Sequence, residues 1–287
     1  MYTTYQNLYK QLTNIYPLNE AKAIVRMVLE DRFGLTLADI YTDKVTQLSA
    51  DDASKLEKIM LRLAKGEPVQ YVLGSVTFCG RQFGVAPGVL IPRPETELLC
   101  EWVVNVLDKP YCALQPPTPL RVLDVGTGSG CIAITLSLDM PNTVVSACDI
   151  SPEALLIARD NAIRLGAAVN FQLKDALQLA ATEETFDIIV SNPPYICDSE
   201  RTEMMQNVLD HEPPTALFVP DDDPLRFYRA IAEYGTTALS HGGELYFEIN
   251  DRFADEISAM LNALGYAGTE VRTDQFGKQR FVKTMRA

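Results

Sequence analysis

Histidine is almost absent from this 287-residue chain: only His211 and His241 occur, and the six cysteines contain no C-x-x-C pair. Zinc centres need Cys or His at ligand spacing, so no metal site is expected. Cys79, Cys100, Cys112, Cys131, Cys148 and Cys197 are scattered, and no charged-then-apolar segment opens the chain. They read as free thiols in a reducing compartment, which makes a cytoplasmic location the expectation. No stretch of about 18 consecutive apolar residues exists to cross a bilayer. Excess positive charge is missing too. The formal net charge is −13; residues 71–287 carry 16 Lys and Arg against 29 Asp and Glu, whereas residues 1–70 balance at 9 against 9. A polyanion-binding surface works by neutralising phosphates with Lys and Arg. This balance therefore argues against dedicated nucleic-acid binding and favours a protein or small-molecule substrate.

Against these absences stand 47% hydrophobic and 22% charged residues, the mix of an ordinary folded protein. The length exceeds one small core and implies two. From Tyr5 to Lys65 apolar residues recur at helical spacing: Leu8, Leu12, Ile15; Ile24, Val25, Val28, Leu29; Leu56, Ile59, Met60, Leu63. This predicts a small helical domain over residues 1–69. Each stripe by itself is core, and the domain as a whole is a candidate substrate-docking platform. Residues 70–91 turn β-prone, with Val76 to Phe78 and Phe83 to Val85 flanking Cys79, Gly80 and Arg81, the pattern of a hairpin linking two domains. Pro92-Arg93-Pro94-Glu95-Thr96-Glu97 then enters a helix whose apolar face is Leu98, Leu99, Trp102, Val103 and Val106. Residues 108–119, with four prolines, read as a loop.

Beyond the loop, strands are expected at Arg121 to Val125, Val144 to Ile150, Asn170 to Leu173, Phe186 to Val190, Glu244 to Ile249 and Phe281 to Thr284. Helices are expected at Cys131 to Met140, Pro152 to Leu165, Leu225 to Leu239 and Phe253 to Leu264. Such alternation predicts an α/β domain over residues 92–287, with parallel strands and crossover helices on both faces.

Within that domain Val122 to Val125 runs straight into Gly126-Thr127-Gly128-Ser129-Gly130 and then a helix. Glycines there let the backbone turn sharply and approach a ligand closely. The spacing is G-x-G-x-G and not the G-x-G-x-x-G that seats a pyrophosphate on a helix end, so a nucleoside cofactor without phosphates fits better than NAD or FAD. Asp149 ends the next strand 23 residues after Gly126, close to the separation of about 20 for an acid that binds ribose hydroxyls. Asp175 follows a third strand, where it can accept from an adenine amino group while Ala176 lines the ring face. A second motif, Asn192-Pro193-Pro194-Tyr195, caps the strand that begins at Phe186. Pro193 restricts Asn192 to extended backbone and neither proline has an N–H, so the corner is rigid and presents only carbonyls. Ligand sites of open α/β sheets lie at such strand ends.

Gln70-Tyr71-Val72-Leu73-Gly74, Leu90 to Glu97, Asp124 to Gly130, Ser191 to Ile196, and Asp274 with Gly277 and Arg280 form a set spanning nearly the whole chain. The set resembles the release factor glutamine methyltransferases, the PrmC/HemK family. That resemblance implies a Rossmann-like class I methyltransferase domain with a mostly parallel seven-stranded sheet and S-adenosylmethionine as cofactor. It implies peptide chain release factors as partners, and the glutamine of their Gly-Gly-Gln motif as target. It also implies that Gly126, Thr127, Gly128, Ser129, Gly130, Asp149, Ile150, Asp175, Ala176 and Asn192 hold the cofactor. Asn192, Pro193 and Tyr195 are then catalytic, with Arg93, Glu95 and Pro194 beside the substrate. Two positions depart from the family pattern. Asp223-Pro224-Leu225 stands where Asp-Gly-Leu is usual, and Glu248-Ile249-Asn250 replaces Glu-Ile-Gly with a following Gln.

Composition and spacing alone reach only a planar NH₂ group, held by the Asn192 side-chain oxygen and the Pro193 carbonyl with Tyr195 packed on its plane. A ribosomal-protein glutamine meets that description, and so does an adenine or cytosine amino group in nucleic acid. A non-catalytic cofactor-binding scaffold would share the glycine turn.

Overall fold

The computed structural model describes residues 4–105, 118–180 and 184–287. Val106 and most of the expected proline loop, up to residue 117, lie outside the described residues. The chain forms two compact units: one runs to Ser75 and takes in Met205–His211, and the other comprises Val76–Met204 with Glu212–Ala287.

Among the described residues six α-helices build the first unit: α1 (Tyr5–Leu12), α2 (Leu18–Phe33), α3 (Leu37–Tyr41), α4 (Ala50–Leu63), α5 (Val69–Leu73) and, from later in the chain, α9 (Gln206–His211). Side-chain oxygens of Thr4, Thr36 and Ser49 accept from backbone N–H groups that the first turns of α1, α3 and α4 leave unpaired. Leu8, Leu12, Val25, Val28, Leu29, Leu56 and Leu63 close the core, as their spacing predicts. Ile15 does not join them: α1 ends at Leu12 and the side chain is exposed. Residues 70–73 belong to α5 and not to a linker. The hairpin is β1 (Ser75–Phe78) and β2 (Arg81–Gly84), turned by Cys79 and Gly80, both at positive φ. Phe78 and Phe83 meet edge to face inside the core of the second unit, so the hairpin is part of that core instead of a free connector. Residues 205–211 were expected within the α/β domain. A segment of seven residues has no periodicity of its own by which sequence could place it elsewhere.

The second unit is organised by a seven-stranded sheet of β3 (Leu120–Val125), β4 (Thr143–Asp149), β5 (Val169–Leu173), β6 (Phe186–Ser191), β9 (Leu239–Glu248), β10 (Tyr266–Thr273) and β11 (Gln279–Arg286). The order is β10-β11-β9-β6-β3-β4-β5, and all neighbours are parallel except at β11, which is antiparallel to both its partners. β7 (Ile196–Cys197) and β8 (Phe218–Val219) form a separate short parallel pair. The sequence reading omits β10, in which only Tyr266 is buried and the other residues are half-buried or exposed, without a clean apolar alternation. Central strands are apolar on both faces, as a sheet covered twice requires. On one side Val122, Val145, Ala147 and Val190 pack with α6 (Pro94–Val104) and α7 (Cys131–Asp139). On the other Leu123, Val125, Ile189 and Phe247 pack with α10 (Arg226–Ala238) and α11 (Ala254–Ala263). α8 (Pro152–Leu165) completes the β4-to-β5 crossover. Among the described residues, no helix is long and apolar enough to cross a membrane, and no group of three or more His, Cys, Asp or Glu could hold a metal ion.

Candidate active site

The order of the strands places the site. From β3 the chain winds outward to β4 and β5, then returns to lay β6 on the other side of β3, so the winding reverses between β3 and β6. Ligands of doubly wound sheets bind outside the carboxyl ends at such a reversal. The register is closer than topology alone requires. Val125 pairs with Ser191 on β6 and with Cys148 on β4, so Gly126, Asn192 and Asp149 are the next residues on three adjacent strands. Ser191 Oγ donates to the Val125 carbonyl at 2.6 Å and ties the two motif-bearing ends together.

A cavity of about 320 Å³ opens there, within the size range of small-molecule sites. Gly126, Gly128, Asp149, Ile150, Asp175, Ala176, Asn192, Pro193 and Pro194 all line it. Gly126 and Gly128 have φ of 78° and 54°, and a Cβ on either would meet nothing within 4 Å, so the turn leaves room where a side chain would intrude. Asp149 accepts from the Gly128 N–H at 2.8 Å and the Ser151 N–H at 2.9 Å, which aims its carboxylate across the turn. Burial pushes this carboxyl up, against the pull of the Ser151, Gly128 and Ile150 backbone groups. Ile150 is 60% exposed despite being apolar, a surface that a ligand ring can cover. Asp175 accepts from Leu177 N at 2.9 Å and so stands at the entry to the turn over Ala176–Gln178.

Thr127, Ser129 and Gly130, expected at the cofactor, are not on the cavity wall; both side chains are buried. The Thr127 hydroxyl donates to Asp124 at 2.6 Å, and Asp124 also accepts from Ala133 N at 3.2 Å, so this pair anchors the turn from beneath. Burial raises the Asp124 carboxyl to about 7. Gly130 is a packing glycine: a Cβ there would lie 2.9 Å from Ile134 Cδ1 and 3.1 Å from Ala158 Cβ.

At the second motif Asn192 Nδ2 donates to Thr96 Oγ1 at 3.2 Å, Thr96 donates to Glu248 Oε2 at 2.7 Å, and the Tyr195 hydroxyl donates to Glu248 Oε1 at 3.1 Å. Tyr195 therefore braces Glu248 and does not line the cavity. Neither do Arg93 and Glu95. The Arg93 guanidinium is held at 2.6 Å by Glu212, whose other oxygen accepts from Ile91 N at 3.2 Å, so the pair fastens the segment before α6. Asn250, one of the two departures, donates to the Tyr195 carbonyl at 3.1 Å and to Glu200 at 3.0 Å, clamping the Asn-Pro-Pro-Tyr corner from behind. At the other departure Asp223 takes both guanidinium ends of Arg229, and Pro224 precedes α10 without interrupting it.

Comparison with known proteins agrees with this architecture. A PrmC N-terminal domain model matches residues 5–74 and a methyltransferase small domain model matches residues 106–217. A release factor glutamine methyltransferase of Bacteroides thetaiotaomicron is 48% identical over 96% of this chain and 97% of its own. The chain belongs to the release factor glutamine methyltransferase family. A second member, from Flavobacterium psychrophilum, is 39% identical over 95% of this chain and 94% of its own. In fold, the family's class I methyltransferase sheet is shared with a solved Pyrococcus furiosus methyltransferase (TM-score 0.51, 16% identity, 83% of this chain and 100% of that one). A Thermus thermophilus 16S ribosomal RNA methyltransferase, solved with AdoMet and guanosine, gives TM-score 0.52 at 16% identity over 74% of this chain and 50% of that one.

Residues that sequence reasoning missed are those brought in by chain return. Val89 and Leu90 before α6, Phe218 on β8, and Phe227 and Ile231 on α10 add apolar wall, and Thr96 and Glu248 stand behind Asn192. Thr96 lies within a motif carrying the family resemblance and Glu248 within one of the two departures from it, and their partnership across 152 residues has no local signal.

Proposed function

We propose that the protein transfers a methyl group from S-adenosylmethionine to the side-chain amide nitrogen of the Gly-Gly-Gln glutamine of peptide chain release factors. The reading rests most on one observation: the glycine turn and the Asn192–Pro193 corner end adjacent strands at the same level and line one cavity. Gly126 and Gly128 would admit the cofactor's backbone-hugging portion, Asp149 would take ribose hydroxyls, and Ile150, Asp175 and Ala176 would surround the base. When bound, S-adenosylmethionine supplies an electrophilic sulfonium methyl.

The chain's own task is then positioning. An amide nitrogen is a poor nucleophile because its lone pair is delocalised, and holding reactants in line can supply roughly 7–11 kcal/mol of a barrier. The Asn192 side-chain oxygen and the Pro193 carbonyl would accept the two amide N–H groups. Both interactions strengthen as positive charge grows on nitrogen, so they favour the transition state over the ground state. Glutamate has no donors for these acceptors and would face them with a negative charge; such sites discriminate by about 10⁴ or more. Tyr195, expected on the amide plane, serves through its hydroxyl as a brace for Glu248. No side chain is assigned as a base, because the nitrogen becomes acidic as it is alkylated.

Transfer of labelled methyl groups to a purified release factor tests this, with the Gly-Gly-Gln glutamine replaced as control. Label should enter the intact factor only. Persistence of label in the control, or equal labelling of nucleic acid, overturns the substrate assignment.

A further inference from the structure

An asparagine amide has two ends of nearly equal size and opposite character: the oxygen accepts, the NH₂ donates. A half-turn about the last side-chain bond exchanges them, and the exchange would reverse the preference of a site built on that residue. With NH₂ facing the cavity, Asn192 would suit a carboxylate and repel an amide N–H. Something must choose the end.

The choice is made behind the motif. Asn192 Nδ2 reaches Thr96 Oγ1, and Thr96 Oγ1 reaches Glu248 Oε2. A threonine hydroxyl has a single proton to give, and an ionised carboxylate has none. Thr96 therefore donates to Glu248 and keeps only lone pairs for Asn192, which can answer only with its NH₂. Glu248 is itself held as an acceptor on both arms, since its other oxygen takes the Tyr195 hydroxyl. Thr96 and Glu248 are 2% and 1% exposed, so no water competes for these bonds. Asn192 lines the cavity, and with the NH₂ end tied back its oxygen is the end left for a ligand.

We propose that Thr96 and Glu248 are positioning residues that lock the Asn192 amide with its oxygen toward the cavity, and so determine that the site takes a glutamine amide instead of a carboxylate. This rests on the reading of Asn192 as the acceptor for the substrate N–H. It assigns selectivity to a buried pair that never touches the substrate. Burial raises the Glu248 carboxyl, while the hydrogen bonds from Thr96 and Tyr195 and the Arg280 guanidinium from β11 hold it toward the ionised, accepting form; Glu95 from α6 opposes that form, and Tyr228 from α10 also faces it.

The test uses Thr96→Val, which keeps the shape and removes the hydroxyl, beside Thr96→Ser, which keeps the hydroxyl. Each full-length variant is assayed for kcat and KM on a release factor. It is also assayed for inhibition by the same factor carrying Gln→Glu at the target, and for S-adenosylmethionine affinity. Thr96→Ser should stay close to wild type. Thr96→Val should lose about 10- to 100-fold in kcat/KM, the scale of one buried polar partnership, and its preference for Gln over Glu should contract by a similar factor. Cofactor affinity should hold, which reports an intact fold. A Thr96→Val enzyme whose kcat/KM falls while its Gln-over-Glu preference is unmoved shows a merely structural role and overturns the proposal; equal losses in the Ser and Val variants do the same. If Thr96→Val does not fold, Thr96→Ala carries the same readouts. Wild-type enzyme that methylates no release factor sinks the functional reading, whereas active wild type with unchanged preference in the variants sinks this inference alone.

Discussion

Gly126, Gly128 and Gly130 belong to one motif but have different tasks, and substituting each with Ala separates them. All three have positive φ, at 78°, 54° and 82°, where a side chain costs about 1–2 kcal/mol. For Gly126 and Gly128 the new methyl enters open cavity and meets nothing within 4 Å. For Gly130 it lands 2.9 Å from Ile134 Cδ1, 3.1 Å from Ala158 Cβ and 3.3 Å from Ala158 Cα. The last is helix backbone and cannot rotate away, so overpacking adds about 1–3 kcal/mol. Gly130→Ala should therefore cost about 2–5 kcal/mol, which for a unit of this size lowers Tm by roughly 4–20 °C, against roughly 2–8 °C for the other two. Thermal unfolding is measured with and without S-adenosylmethionine. A ligand that binds only the folded state raises Tm according to its affinity. Gly130→Ala should keep the wild-type rise with ligand, and Gly126→Ala and Gly128→Ala should lose most of it. If Gly130→Ala is no less stable than Gly126→Ala, or if it alone loses the ligand-induced rise, the division between packing and binding glycines is wrong.

Asn192→Ala should lower turnover by about 10²-fold or more while sparing S-adenosylmethionine affinity, read by methyl transfer and calorimetry; near-normal methylation removes Asn192 from the mechanism. Asn250→Ala breaks bonds to the Tyr195 carbonyl, Glu200 and Arg252 N, and should cost about 1–3 kcal/mol of stability by denaturant titration together with a loss of kcat as the corner loosens. Burial raises the folded Asp124 carboxyl to about 7, whereas an unfolded one titrates near about 4. The stability from this group is thus complete below about pH 4 and is lost as pH rises through 7. Asp124→Asn should flatten the decline in Tm between about pH 4 and 7; a profile parallel to wild type would show that Asp124 is not the group titrating.

The legible part of the site is its local part. Gly126 to Gly130 and Asn192 to Tyr195 announce themselves because glycine freedom and proline restriction act within a few residues of backbone. Asp149, Asp175 and Ala176 follow from a strand-to-strand spacing that the winding of an α/β sheet imposes. Helix stripes such as Leu8 with Leu12, or Val25 with Val28 and Leu29, are core for the same local reason. Where no local periodicity exists, as in β10 and at residues 205–211, the reading failed or misassigned the segment.

By itself, then, the sequence determined the longer, periodic elements, the two turns that bear the chemistry, and the family, because these depend on backbone preferences and on motifs contiguous in the chain. Tertiary structure alone decided which motif residues face the cavity and which hold it up. It turned Tyr195 onto Glu248, gave Arg93 to Glu212, and set Gly130 against Ala158. It also joined Thr96 to Glu248 behind Asn192. Those outcomes depend on which distant strands share a register, and a side chain's partner across a sheet is chosen by packing, not by its neighbours in sequence.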